Sequence, residues 1–226
     1  MSPVIVSVSE KLLLVGGGDI DNDALATGLS GGATVVAADG GAAAVLAHGR
    51  VPDAVIGDMD SLAPEIALQL PETRLHRIDE QDSTDFEKCL SRVRAPLIEA
   101  HGFLGARLDH QLAVLTTLAR FPAQRCILVG DEDVAALCPP ELALALDPGS
   151  RVSLWPLGPV EGRSEGLRWP IEGIGFEPHG RVGTSNVAEG AVRLVLGAPR
   201  MLVILPRAVW GVLEAGLIAA PAWPDL

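Results

Sequence analysis

The sequence predicts an α/β protein: a mostly parallel sheet with helices on both faces, followed by a small antiparallel β-sandwich domain. Between residues 11 and 129, short β-rich apolar runs alternate with alanine- or leucine-bearing helical runs. The apolar runs do not follow strict two-residue alternation, which is typical of parallel strands buried on both faces. Beyond residue 147 the chain has short β-rich pieces punctuated by Gly and Pro. We therefore expect one domain over residues 1–140 and a second over residues 147–226.

The individual elements are predicted from apolar runs and turn residues. Six strands are expected in the first domain, at Leu12–Val15, Thr34–Ala38, Ala54–Ile56, Arg74–Ile78, Leu97–Ala100 and Cys126–Val129. One helix should open at a capping box formed by Thr84 and Glu87, and another should be capped by Asp109. Strands of the second domain are expected at Val152–Leu157, Gly166–Ile171, Ile174–Phe176, Ala191–Leu196 and Met201–Leu205. No amphipathic pattern of helix length stands out there, so we expect a purely β domain.

Composition and charge narrow the range of functions. The chain is 48% hydrophobic and 20% charged, which indicates a globular protein. Its net charge of -12 argues against a nucleic-acid partner, because such a partner requires a basic face. The same charge would repel a polyphosphate, so binding one would require a cation and a few placed basic residues.

The cysteines and the N-terminal residues indicate the cellular compartment. Cys89, Cys126 and Cys138 are far apart and indicate neither a zinc site nor a disulfide framework. The N-terminal residues lack a basic segment followed by a signal-type apolar run, and no apolar stretch reaches ~18 residues. We therefore expect a cytoplasmic protein with no membrane partner.

Paired carboxylates at predicted strand ends point to a metal. Asp39, followed by Gly40 and Gly41, ends one strand, and Asp58 and Asp60 end the next. In extended chain, positions i and i+2 point to the same side, so Asp58 and Asp60 should face one space. Mg²⁺ commonly takes one or two carboxylates and completes its shell with water and substrate phosphates. The alternative is an ordinary polar surface turn.

Other predicted strand ends carry residues that could bind a ligand but that also have an ordinary structural explanation. The run Gly16–Gly18 lets backbone approach a phosphate or a base, although it fits no established glycine motif and a tight turn explains it equally. Asp85 falls in the first turn of a helix, where a carboxylate is favoured, and a cation shared with Asp58 and Asp60 would relieve their repulsion. Arg107 precedes a helix N-terminus, a position from which it could bind phosphate together with the free backbone N–H groups. The alternative is an ordinary surface arginine. The segment Gly183–Asn186, taken without context, predicts a turn.

Taken together, the ordered motifs resemble the thiamine pyrophosphokinase family. The motifs of the first domain are Asp39-Gly40-Gly41-Ala42, Pro52-Asp53, Gly57-Asp58-Met59-Asp60-Ser61, Gln81-Asp82-Ser83-Thr84-Asp85-Phe86-Glu87-Lys88 and Gly105-Ala106-Arg107-Leu108-Asp109-His110. Those of the second are Val152-Ser153-Leu154-Trp155-Pro156-Leu157, Gly166-Leu167-Arg168-Trp169-Pro170-Ile171 and Gly183-Thr184-Ser185-Asn186. The chain departs mildly from the family at Met59, between the paired aspartates, and at Ala106, where the family usually has glycine.

The resemblance implies a function and a set of roles. The reaction would be Mg²⁺-dependent transfer of the terminal diphosphate of ATP to the thiamine hydroxyl, giving thiamine diphosphate and AMP. Asp58, Asp60 and Asp85 would hold the metal and, with Arg107, would be the catalytic residues. The ATP side would be lined by Asp39, Gln81, Lys88, Arg107 and Asp109. Ser185 and Asn186 would meet the thiamine ring, and the family works as a homodimer with thiamine bound between the α/β domain of one subunit and the β domain of the other.

Two other functions stay open on the residues alone. A related diphosphokinase could act on a different alcohol, such as a pterin, because the motifs of the first domain do not specify the acceptor. A non-catalytic sensor of thiamine or nucleotide is the second, although it would not need both the metal ligands and the phosphate-binding arginine. No general base is assigned: Asp60 and Asp85 are the candidates, provided that they lie within ~3 Å of the thiamine hydroxyl or reach it through one water.

Overall fold

A computed structural model describes residues 3–105 and 107–224, which form a mixed α/β fold, as expected. They divide into two compact units. The first contains the described residues through Thr117 together with Leu128–Asp131, and the second contains Leu118–Ile127 and the described residues from Glu132 onward. The sequence analysis ended the first domain at residue 140 and began the second at residue 147. In the structure, residues 132–146 all belong to the second unit.

The first unit is built around parallel strands. The strands numbered from the N-terminus are β1 (Val6–Ser7), β2 (Leu12–Val15), β3 (Thr34–Ala38), β4 (Ala54–Gly57), β5 (Leu75–Arg77), β6 (Val93–Arg94) and β7 (Ile98–His101), and β8 (Cys126–Val129) crosses into the second unit. Strands β7, β2, β3, β4 and β5 are neighbours in that order and are all parallel, while β1 and β6 pair separately. The predicted strands are thus confirmed, with shifts of one residue at several ends.

The strand order explains where functional side chains can meet. Strands β2, β3 and β4 are buried along almost their whole length, as the continuous apolar runs predicted. Because β3 and β4 are parallel neighbours, the residues that follow them lie at the same edge of the sheet. Asp39 follows β3 and Asp58 follows β4.

Five α-helices are described up to residue 120, and the sequence analysis gave starting points for two of them, at Thr84 and at Asp109. The five helices are α1 (Asn22–Ser30), α2 (Gly41–Ala47), α3 (Pro64–Ala67), α4 (Asp85–Leu90) and α5 (Leu108–Arg120). Thr84 caps α4 as expected, because its hydroxyl accepts a hydrogen bond from the backbone N–H of Glu87 at 3.3 Å. The prediction that Asp109 caps α5 is wrong: the helix begins at Leu108, so Asp109 lies in its first turn, and its carboxylate binds Arg107.

The second unit is mainly antiparallel. Its strands are β9 (Asp133–Leu137), β10 (Glu141–Leu144), β11 (Arg151–Pro156), β12 (Gly162–Leu167), β13 (Gly183–Leu196) and β14 (Met201–Pro206). The long strand β13 pairs with β10, β11 and β12, and β14 pairs with β9 and β11. The predicted strand Gly166–Ile171 is displaced, since β12 ends at Leu167, and Phe176 forms only isolated bridges.

Two predictions for this unit are wrong. The segment Gly183–Asn186 is not a free turn, because it opens β13. A helix, α6 (Trp210–Ala219), was also missed. Apart from Glu214 its residues are apolar or small, so it has no amphipathic stripe to recognise. It packs against β10 at Gly216, where an added Cβ would lie 2.7 Å from the carbonyl oxygen of Ala143.

The cysteines are free and buried, in keeping with the absence of a predicted disulfide framework. Over residues 3–105 and 107–224, no helix combines the length and apolar character needed to span a bilayer.

Candidate functional site

The centre of the candidate site is Asp39, a buried carboxylate. It adopts φ +42° directly after β3, and its backbone N–H donates to the carbonyl of Ile56 at 3.1 Å. Its side chain is 1% exposed, and Oδ2 accepts a hydrogen bond from the Ser61 N–H at 3.4 Å. The other oxygen, Oδ1, is buried and has no hydrogen-bond partner among the described residues. Gly57 makes room for this side chain, since a Cβ there would lie 2.8 Å from the Asp39 Cβ.

Asp58 and Asp60 lie beside Asp39 through a tight turn. Met59 between them has φ +67°, so the chain is not extended as the sequence argument assumed. The Asp60 N–H donates to Asp58 Oδ1 at 3.3 Å, and the Ser61 hydroxyl donates to Asp60 Oδ1 at 3.0 Å. The expected convergence of the two carboxylates is present, but a left-handed residue produces it.

Three carboxylates form the candidate metal site: Asp39, Asp58 and Asp60 each contribute an oxygen, and these atoms all lie within 4.8 Å of one another. The sequence analysis had placed Asp39 on the ATP side and Asp85 in the metal set. Burial, together with the negative charges of Asp58 and Asp85, raises the pKa of Asp39 to about 6. Hard oxygen donors converging on one space, one of them buried and unpartnered, fit a divalent cation such as Mg²⁺.

Lys88 is the counter-charge of this group. Its side chain is 2% exposed, and Nζ lies 2.8 Å from Asp58 Oδ2 and 3.2 Å from Asp85 Oδ1. The hydrogen bond from Lys88 holds the pKa of Asp58 well below its usual range, whereas burial raises the pKa of Asp85. Gln81 also donates to Asp58 Oδ2, at 3.1 Å. Asp58 is therefore held ionised, with Oδ2 engaged by two protein donors.

Arg107 and Asp109 form an exposed pair at the start of α5. The Arg107 Nη2 and Nε atoms lie 2.6 Å and 3.2 Å from the two carboxylate oxygens of Asp109, and both side chains are 66% exposed. This two-point contact holds the guanidinium beside the first turn of a helix. The family departure at Ala106 lies outside the described residues.

The triple glycine has a structural explanation. The Gly18 N–H donates to the carbonyl of Gly102 at 3.0 Å, and a Cβ at either Gly16 or Gly18 would lie 2.7 Å from that oxygen. The interpretation as a tight backbone contact therefore accounts for Gly16 and Gly18 without a ligand.

In the second unit, Ser185 and Asn186 differ in what they offer a ligand. Ser185 is exposed and has φ +61°, and its N–H donates to Ser153 Oγ at 3.0 Å. Asn186 is buried: its Oδ1 accepts from the N–H groups of Trp169 and Val187, and its Nδ2 donates to the Trp169 carbonyl at 2.7 Å. The Asn186 amide thus binds the Trp169 backbone, and the Trp169 side chain is left 55% exposed.

Sequence reasoning did not single out Ser153, Ser61 or Trp169 as site residues. Trp169 appeared only within the motif Gly166–Ile171, and nothing in its spacing separates it from a core tryptophan. The inclusion of Asp39 with Asp58 and Asp60 depends on β3 and β4 being neighbours, which the sequence does not state. The Asp39-Gly40-Gly41 turn was the available signal for it.

The fold and these side chains define a mixed α/β protein with a candidate cation site at one edge of a parallel sheet. Residues 28–129 match the family model described as the catalytic domain of thiamin pyrophosphokinase. This part of the chain is therefore similar to the catalytic domain of that family, in agreement with the resemblance inferred from the motifs. The region includes Asp39, Asp58, Asp60 and Asp85.

Individual proteins agree with the family model. The chain is similar to thiamine pyrophosphokinase 1 of Oryza sativa subsp. japonica, with 31% identity over 157 residues, 61% of this chain and 60% of that protein. It is 27% identical over 158 residues to thiamine pyrophosphokinase 1 of Arabidopsis thaliana, or 59% of that protein. The chain thus matches about 60% of the length of these curated relatives.

Solved structures support the fold. The thiamin pyrophosphokinase of Geobacillus thermodenitrificans superimposes with a TM-score of 0.70 at 22% identity, covering 87% of this chain and 96% of that chain. The yeast thiamin pyrophosphokinase gives a TM-score of 0.72 at 16% identity, covering 96% of this chain and 94% of that chain. At these identities the likeness is one of fold.

Proposed function

We propose that this protein is a thiamine diphosphokinase, which transfers the terminal diphosphate of ATP to the thiamine hydroxyl and releases AMP. The observation that carries the proposal is the group formed by Asp39, Asp58 and Asp60 inside the region that matches the catalytic-domain model. The relatives named as thiamine pyrophosphokinases support thiamine as the acceptor.

We propose Mg²⁺ as the cofactor, held by Asp58 and Asp60 with Asp39 as a third ligand and Asp85 beside it. When bound, the ion would neutralise phosphate charge and orient the diphosphate for attack. Lys88 keeps Asp58 ionised, so that it is a ligand at neutral pH without a competing proton. A bound cation would lower the pKa of Asp39, which burial raises to about 6, and so favour its ionised form.

Charge neutralisation and positioning are the work required of the protein. The thiamine oxygen attacks the β-phosphorus, the bond from that phosphorus to the bridging oxygen of the α-phosphate breaks, and AMP leaves with the electron pair. The hydroxyl proton passes to a base, for which Asp60 and Asp85 are the candidates. Arg107, held by Asp109 at the start of α5, is proposed to bind phosphate oxygens. Gln81 and Lys88 would act beside the metal through Asp58.

The thiamine subsite is proposed at the start of β13. Ser185 would present its exposed side chain to the ring, and Asn186 would act mainly through Trp169, whose exposed indole offers a flat surface for an aromatic cation. We also propose the domain roles expected from the sequence: residues 1–140 bind ATP and the metal, and residues 147–226 contribute to thiamine binding. A homodimer, the β-sandwich form of the second domain and a cytoplasmic location also remain predictions.

The direct test is to incubate the purified chain with ATP, Mg²⁺ and thiamine and to follow both products by chromatography. We expect AMP and thiamine diphosphate in equal amounts, dependent on thiamine and abolished by a chelator. AMP without thiamine diphosphate would point to ATP hydrolysis. Thiamine binding without turnover would support a sensor, and absence of both would redirect the search to other alcohols, beginning with pterins.

A further inference from the structure

A β-bulge sits where β13 passes β11. The paired residues are Val152 with Asn186 and Leu154 with Gly183, so the register shifts between them. Two residues of β13, Thr184 and Ser185, therefore oppose the single residue Ser153 on β11. Bulges of this kind bend a strand and redirect its side chains, and they often lie next to functional sites.

The bulge places Ser185 in a conformation that needs support. A φ of +61° lies in the left-handed region, which serine adopts only when its surroundings enforce it. An extra residue in a bulge is also left out of the regular ladder of backbone hydrogen bonds. The Ser185 N–H is satisfied instead by the hydroxyl oxygen of Ser153, at 3.0 Å.

Ser153 is itself fixed from the other side. It is 5% exposed, and its hydroxyl oxygen lies 3.4 Å from Arg151 Nη1. The other end of the Arg151 guanidinium forms an ion pair with Asp133. The chain of contacts thus runs from Asp133 through Arg151 and Ser153 to the Ser185 N–H.

We propose that Ser153 is a positioning residue for the thiamine subsite. Its hydroxyl holds the bulge in the conformation that presents Ser185, and it does so without touching the substrate. The inference rests on the proposed function, because it assigns Ser153 to the binding of that acceptor. Removing the hydroxyl leaves a backbone N–H unpaired and lets the bulge relax before ligand binds.

The test is the variant Ser153→Ala, assayed for steady-state turnover with thiamine and ATP varied separately. We expect the thiamine KM to rise roughly tenfold, a typical effect of orphaning one backbone donor, while kcat and the ATP KM stay within about twofold. Ser153→Thr keeps a hydroxyl and should restore most of the thiamine KM. Asp133→Asn, which weakens the support from further away, should raise the thiamine KM less than Ser153→Ala.

A matched control comes from Ser164, another buried serine of the same unit. It lies on β12, and its hydroxyl oxygen accepts the Ile171 N–H at 3.1 Å, with no hydrogen bond to the Ser185 N–H. Ser164→Ala should lower stability like Ser153→Ala but leave the thiamine KM unchanged. Amide hydrogen exchange adds a readout independent of activity: exchange at Ser185 should accelerate in Ser153→Ala and not in Ser164→Ala.

The outcomes separate this inference from the proposed function. A wild-type chain that shows no thiamine-dependent turnover overturns the function, and the inference with it. An active wild type with an unchanged thiamine KM in folded Ser153→Ala overturns the inference alone. The same conclusion follows if Ser164→Ala raises the thiamine KM equally, or if exchange at Ser185 does not change. If Ser153→Ala does not fold, an Asp133→Asn variant with unchanged thiamine KM and Ser185 exchange overturns it.

Discussion

The acidic group after β3 and β4 and the bulge at the start of β13 are organised by different forces. In the acidic group, Asp39, Asp58 and Asp60 repel one another, and Lys88 alone among their described contacts brings a positive side chain into hydrogen-bond range. In the bulge, neutral groups such as Ser153 and Asn186 hold backbone in place through short-range hydrogen bonds. Substitutions in the first region should therefore change charge balance and chemistry, whereas substitutions in the second should change the fit of one substrate.

The largest effect is expected from removing a carboxylate of the acidic group. Asp58→Asn or Asp60→Asn should lower turnover by roughly 10²- to 10³-fold, because each is proposed to hold the metal, while the fold is retained. Turnover at saturating Mg²⁺ and a thermal unfolding curve would measure this. Asp79→Asn is the control, since Asp79 is 77% exposed and pairs only with Arg77 among its described contacts. Near-normal turnover in a folded Asp60→Asn variant would show that Asp60 is not a metal ligand.

The second effect concerns stability. Lys88→Met should lower the free energy of unfolding by about 3 kcal/mol, because it leaves Asp58 and Asp85 without the buried counter-charge. Urea unfolding at constant m-value is the measurement. Arg77→Met should cost under about 0.5 kcal/mol, since the pair of Arg77 with Asp79 is exposed. Equal losses in the two variants would show that the acidic group does not depend on Lys88.

The third effect should be confined to thiamine. Asn186→Ala removes the amide that holds the Trp169 backbone, so the thiamine KM should rise roughly tenfold with kcat nearly unchanged. Asn22→Ala, which replaces the other asparagine at the exposed start of α1, should alter neither parameter. A fall in kcat of the same size as the rise in KM would indicate that Asn186 also acts in the transition state, and the contrast between the two regions would weaken.

The most gradual effect is a pH dependence of stability in metal-free protein. The pKa of Asp39 is raised to about 6 in the folded state, chiefly by burial, so the folded protein binds its proton more tightly than the unfolded chain does. Stability should therefore fall as pH rises from about 4 through about 6, by at most about 1.4 kcal/mol per pH unit. Unfolding in chelator measures this, and Asp39→Asn should remove that component. If Asp39→Asn leaves the slope of stability against pH unchanged, the pH dependence arises from other groups.

Mg²⁺ should reverse this trend, because a cation held by the three carboxylates favours the ionised form of Asp39. Repeating the unfolding series at saturating Mg²⁺ should give a protein whose stability no longer falls between about pH 4 and about pH 6. A pH profile unaffected by Mg²⁺ would argue that the ion does not reach Asp39.

Much of the fold could be predicted because the determinants are local. Continuous apolar runs gave the strands Leu12–Val15 and Thr34–Ala38 to the residue. The pair Asp58 and Asp60 could be found from its spacing. The membership of Asp39 could not, because it depends on which strands are neighbours. Helix α6 escaped notice because its exposed face also carries apolar residues, such as Ile218, and this removes the periodicity by which a surface helix is recognised.

The bulge was beyond sequence reasoning for a different reason. A polar, glycine-led segment such as Gly183–Asn186 predicts a turn, and only pairing with a distant strand converts it into the start of β13. The Ser153 hydroxyl that binds the Ser185 N–H lies more than thirty residues away in the chain. Local propensity was overridden by long-range strand pairing.

Among the described residues, the non-glycine positions with positive φ are Asp39, Met59 and Ser185. A laboratory selection for heat tolerance would favour glycine at such positions, because glycine adopts this backbone without strain. Each replacement would also delete a side chain at a proposed ligand contact or within the turn that joins two of them. Variants selected only for surviving heat would therefore accumulate inactive proteins, and a thermostabilised version of this chain should be sought on other surfaces.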